Sequence, residues 1–194
     1  MILALLLAGT QVTAPAGASA TAAAATRMRA LGTCIAERQP ARAAAALALD
    51  TATPAARARI DALVRDNPAC NAGEGASALN LLLLSGAMAE QLLGEGRSRL
   101  GAKVSGRSST PGSTPADVAT CMAIADAGAV SALLATEPTS EAERGAFAPL
   151  GSALVACATK GTALRVPRSG MRALLAIGAY RLVSPASAPA QGSR

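Results

Sequence analysis

Residues 33–70, TCIAERQPARAAAALALDTATPAARARIDALVRDNPAC, and residues 120–157, TCMAIADAGAVSALLATEPTSEAERGAFAPLGSALVAC, decide how this chain reads. Each opens on Thr-Cys and closes on a Cys 36 positions after the first, and the two align without a gap at an offset of 87 residues. Thr33 and Cys34 fall on Thr120 and Cys121, Leu47 on Leu134, Asp50 on Glu137, Arg57 on Arg144 and Leu63 on Leu150. Ala matches carry little weight in so Ala-rich a chain, so the duplication rests on these positions. Four Cys allow three pairings. If each half descends from one ancestral unit, the pairing must be possible within a unit, which selects Cys34 with Cys70 and Cys121 with Cys157. Each bridge closes a loop worth roughly 3 to 4 kcal/mol in chain entropy.

Disulfides imply an oxidising compartment, and the N-terminus agrees. The apolar run Ile2–Ala8 leads to Ala18-Ser19-Ala20, a small-x-small pattern that a signal peptidase accepts, so residues 1–20 read as a signal peptide cleaved after Ala20. No basic residue precedes the run, which points to a misplaced start codon; an uncleaved signal that anchors the protein is the alternative. Arg outnumbers Lys 16 to 2, and Phe147 and Tyr180 are the sole aromatics. Ala loses no side-chain entropy in a helix, and the residues that strands prefer are scarce. The expected fold is all-α: two tandem pseudo-symmetric helical repeats of about four helices each, residues 21–93 and 116–183, with intra-repeat disulfides.

Apolar residues at helical spacing, Met28, Leu31 and Ile35, mark the first helix of unit one, and Val118, Cys121 and Met122 that of unit two. Short second helices follow at about Pro40 to Ala48 and Asp126 to Ala135. Third helices start at Thr53-Pro54 and at the capping box Ser140-Glu141-Ala142-Glu143, and run to the second Cys of each unit. Pro149 should split the latter near Ala148. The fourth helices, Leu81–Leu93 after Asn80 and Arg168–Val183 after Pro167, are the most apolar, but Glu90 and Arg172 interrupt them, and both are short for a bilayer. Residues 94–115, rich in Gly, Ser and Pro, read as a flexible linker, and residues 184–194 as a disordered tail.

Chemistry is hard to place in this composition. The chain has no His, which removes the commonest general base. It also has no close Cys pair of the kind that holds structural zinc, so neither a metal nor a cofactor is expected. Of the two lysines, Lys103 and Lys160, the first lies in the linker, where nothing would hold it as a base. Among acids, Glu141 and Glu143 fit a helix start, Asp50 and Glu137 occupy equivalent turns, and Glu90 reads as a helix-edge acid reaching solvent. The linker residues Arg97, Arg99, Lys103 and Arg107 against Glu95 give it a net +3 of the chain's formal +6. Four cations on one segment attract anionic surfaces. Outside the cytoplasm the partner would be an anionic envelope component such as lipopolysaccharide, not nucleic acid, and no aromatics are interleaved to stack on bases.

The unit, with Cys121, the helix Ala129 to Ala135, the capped acidic start Ser140 to Arg144 and Cys157, resembles that of an uncharacterised group of small exported alphaproteobacterial helical proteins. The resemblance implies the fold and compartment and carries no activity. The expected function is a non-catalytic periplasmic or envelope binding or structural module, acting through a groove between the repeats or through the linker. The alternative is a hydrolase of an envelope polymer or small molecule that uses carboxylates; two acids facing each other in a shielded cleft would favour it.

Overall fold

The computed structural model describes residues 16–70, 80–159 and 165–184. The apolar run at residues 2–8, Lys160 and nearly all of the expected tail lie outside the described residues. Ten α-helices and no strand are present among those described: α1 Ala16–Arg38, α2 Pro40–Leu47, α3 Pro54–Asp66, α4 Leu81–Leu93, α5 Leu100–Val104, α6 Pro115–Ala125, α7 Ala127–Ala135, α8 Glu141–Ala146, α9 Leu150–Cys157 and α10 Arg168–Val183. The backbone of α1 runs through the expected cleavage point.

Local chemistry sets most helix starts. Thr53 Oγ1 accepts from the Ala56 N–H at 3.2 Å, Asn80 Oδ1 from Leu83 at 3.2 Å, Thr114 Oγ1 from Asp117 at 3.2 Å and Ser140 Oγ from Glu143 at 3.0 Å. Each satisfies one N–H that a helix start leaves without a partner. The capping box at Ser140 is only half formed. Glu143 Oε2 accepts from the N–H of Thr139 at 2.7 Å instead of that of Ser140, which turns back onto the Glu137 carbonyl.

One helix departs from its expected end. The one expected to reach Cys70 stops at Asp66, where Asn67 Nδ2 caps the Leu63 carbonyl at 2.7 Å and Pro68 cannot continue the ladder. Cys70 follows in a 3₁₀ turn. Pro149 splits its helix into α8 and α9, as expected. The disulfides are Cys34–Cys70 and Cys121–Cys157, with Cα–Cα distances of 5.7 and 5.6 Å.

Residues 94–104 correct the expectation of a flexible linker. They form a 3₁₀ segment, Gly94–Arg99, and then α5, whose Leu100 and Val104 are buried against α7 and α10. The far end of the segment is also pinned: the Gly112 N–H donates to the Cys157 carbonyl at 2.9 Å, and its own carbonyl accepts from the Thr159 N–H at 3.2 Å.

At the centre, α4 and α10 pack together, with α1 on α4 and α6 on α10. Small residues permit this closeness. A Cβ on Gly86 would stand 2.4 Å from Ala173 Cβ, and one on Gly32 2.6 Å from Ala87 Cβ. Both central helices are buried over most of their length. Among the described residues no single helix is long and apolar enough to cross a membrane.

Candidate functional site

Arg172 lies mid-way into the core on α10 and is 3% exposed. A guanidinium there must spend its five N–H donors on protein acceptors. It meets Glu90 of α4 two-pronged, Nε to Oε1 at 2.7 Å and Nη2 to Oε2 at 2.8 Å, and reaches Glu143 Oε1 through Nη1 at 3.1 Å. The same guanidinium donates to the carbonyls of Leu133, Leu134 and Thr136, at 3.1, 3.3 and 3.0 Å, at the end of α7, where carbonyls run short of helical N–H partners. Burial works against its charge, but the hydrogen bonds and charge of Glu90, then of Glu143, outweigh it and raise its pKa above the ordinary arginine value. Arg29 of α1 adds a second cation, Nη1 to Glu90 Oε2 at 3.1 Å.

This cluster floors a cleft of about 80 Å³ walled by Ala25, Leu83, Ala87 and Ala173, with Glu137, Thr139 and Ser169 at its margin. Two acids, Glu90 and Glu143, therefore do share a shielded cleft. Their chemistry is closed, however: both oxygens of Glu90 accept from guanidinium groups, and Glu143 divides its oxygens between Arg172 and the Thr139 N–H. A general acid or base needs an oxygen directed at substrate.

The reading of Glu90 as a solvent-reaching acid is overturned, since its side chain is 11% exposed and ion-paired. The signal for this was in the chain. Glu90 is the one charge in α4, and Arg172, set between Met171 and Ala173-Leu174-Leu175 on α10, is the charge of opposite sign that partners it. Glu141 pairs on the surface with Arg144, while Asp50 and Glu137 are exposed.

The four cations of the linker divide. Arg97 turns inward, donating from Nε to the Gly94 carbonyl at 3.0 Å and from Nη1 to that of Leu134, while its own carbonyl accepts from Ser131 Oγ. It thereby secures the 3₁₀ segment to α7 and is not offered to a partner. Arg99, Lys103 and Arg107 are exposed and form no ion pair among the described residues. Arg99 and Lys103 stand four apart, so they share a face of the segment that α5 continues, and the Arg107 N–H folds back onto the Val104 carbonyl at 2.9 Å.

A half-buried arginine, Arg181, donates to the Leu47 carbonyl at 3.0 Å and to the Leu49 carbonyl, tying α10 to the end of α2. Burial lowers its pKa, with Asp50 acting in the opposite direction. No grouping of three or more Cys, Asp or Glu side chains suited to a metal occurs among the described residues. Comparison of the chain with protein-family models, with curated proteins and with solved structures yields no match.

Proposed function

We propose that the protein is exported and acts as a non-catalytic binding module of the cell envelope, using Arg99, Lys103 and Arg107 to hold an anionic envelope surface. One observation carries this reading: the three cations sit exposed on a segment anchored by Leu100, Val104 and Arg97, whereas the acids that could do chemistry are engaged by Arg172. Two disulfides in an Ala-rich chain favour an oxidising, extracytoplasmic compartment. The signal peptide belongs to the same proposal, with Thr21 as the first residue of the mature chain.

Duplication of one four-helix unit is part of the reading. Pro40 and Ala127, Pro54 and Glu141, and Leu81 and Arg168 open helices and stand 87 residues apart, in support of it. So does the Gly86–Ala173 contact, because these positions are equivalent at that offset. Equivalent positions touch each other where a twofold axis passes between them. The likeness to exported alphaproteobacterial proteins stands on the same unit.

Sedimentation with vesicles tests the binding. The mature chain should pellet with vesicles containing an anionic phospholipid, not with purely zwitterionic ones, and salt should release it. At about 1 kcal/mol per cation, R99Q/K103Q/R107Q should weaken binding about a hundredfold. Equal binding to neutral vesicles, or an unaffected triple variant, would reject the reading. Intact mass of protein from the periplasm tests export: a chain beginning at Thr21 supports it, and one retaining residues 1–20 opposes it. The second reading, a carboxylate hydrolase, is favoured by Glu90 and Glu143 meeting in one cleft and opposed by their engagement with Arg172.

A further inference from the structure

The cleft above Arg172 has charges of opposite sign on two of its borders. Arg29 stands on α1 with its side chain 36% exposed and its one described hydrogen bond on Glu90. Glu137 is exposed on the loop that follows α7. Leu83, Ala87 and Ala173 line the same cleft as apolar wall, together with a buried cluster whose charges satisfy one another. We propose that this cleft binds a small zwitterion with an apolar side chain, of which an aliphatic α-amino acid is the type, through carboxylate to Arg29, ammonium to Glu137 and side chain against the apolar wall.

A simple anion would meet Arg29 but be opposed by Glu137, and a simple cation the reverse. A zwitterion gains from both borders, and a cleft of about 80 Å³ favours a small one. The loop that carries Glu137 is held in place for the task. Thr139 adopts φ 65°, a region that β-branched residues rarely enter. Its N–H is fixed by Glu143 Oε2, and Glu143 in turn by Arg172. Backbone in that region persists where surrounding structure over-determines it, as it does at ligand sites. A buried ionic cluster adds little net stability over an apolar core of the same shape, so stability alone gives no reason for this one. On the proposed duplication, the positions equivalent to Arg172, Glu90 and Glu143 are Ser85, Ile177 and Ala56, so the charged floor exists in one half only.

Calorimetric titration of the mature chain with L-valine, L-alanine, propionate and propylamine tests the proposal. L-valine and L-alanine should bind at least about tenfold more tightly than either single-charge analogue. Glu137→Gln, at an exposed position, should reduce L-valine affinity about tenfold and leave propionate binding undiminished or tighter. Arg29→Gln should weaken L-valine and propionate alike, with the fold checked by circular dichroism. Absence of L-valine binding at about 10 mM, propionate binding as tightly as L-valine, or an unaltered Glu137→Gln variant would overturn it. The vesicle result stands independently of all of these outcomes.

Discussion

Arg172 joins its own α10 to α4 through Glu90, to α8 through Glu143, and to the end of α7 through three carbonyls. Removing it leaves the Glu143 carboxylate without its guanidinium and Glu90 with that of Arg29 alone, and breaking a buried pair typically costs about 3–5 kcal/mol. Arg172→Met should therefore lower the unfolding free energy by about that amount in urea titration with the disulfides intact. Adding Glu90→Leu and Glu143→Gln should recover part of the loss but not all, because the Thr136 carbonyl loses the donor that Arg172 supplies. Ser85 is the opposite case. Its Oγ is fully buried on α4 and has no hydrogen-bond partner among the described residues. Ser85→Ala removes a hydroxyl that gains nothing from the fold, so the variant should be neutral or more stable by about 1 kcal/mol. A loss of stability larger than that would mean the hydroxyl has a partner such as a bound water. The site was legible in part. Glu90 and Arg172 stand out as charges in apolar helices, but their pairing depends on which helices pack together, and periodicity within either helix carries no such information.

Helix packing makes its own demands, and the two glycines Gly86 and Gly151 separate them. A Cβ at Gly86 would meet Ala173 Cα at 2.5 Å as well as its Cβ, so α4 and α10 would have to part. Gly86→Ala should destabilise by about 1–3 kcal/mol despite better helix propensity. At Gly151, in α9, nothing lies within 4 Å of the added carbon. Gly151→Ala should stabilise by about 0.5–1 kcal/mol, because only the backbone entropy of the unfolded chain changes. Thermal denaturation of the two variants side by side tests the contrast, and two shifts of the same sign would contradict the packing. Elements set by neighbouring residues were legible: Thr53, Asn80 and Ser140 announced their helices, and Pro149 announced a break. Helix α5 was not, because Leu100 and Val104 are only two apolar positions in a Gly- and Ser-rich stretch. Five residues do not hold a helix on propensity; contact with α7 and α10 holds this one. The positive φ of Gly94, 43°, turns the chain out of α4 and into it.

At the scale of the molecule, the halves that read as tandem units in the sequence share one interior. The core is continuous from Leu31 on α1 through Leu84 and Met88 on α4 to Leu175 and Ala179 on α10, and Arg181 on α10 caps the end of α2 in the first half. Helix count departs from a plain doubling: α5 is added against α7 and α10, and Pro149 splits one helix into α8 and α9. Such a chain should unfold in a single cooperative step, not as two beads on a string. The disulfides allow this to be tested, because each spans 36 residues and ties a helix to a segment of its own half. By loop-closure entropy, C34A/C70A and C121A/C157A should each cost about 3 kcal/mol, and by nearly equal amounts. If the interior is shared, either loss lowers the midpoint of the same transition, and circular dichroism and Tyr180 fluorescence report one curve. Tyr180 sits on α10 in the second half, so it is sensitive to the alternative. Were the halves independent, C34A/C70A would melt the first half by circular dichroism while the tyrosine signal stayed at its original midpoint. Coincident curves for both variants would establish α4 and α10 as the joint through which each bridge stabilises the whole chain.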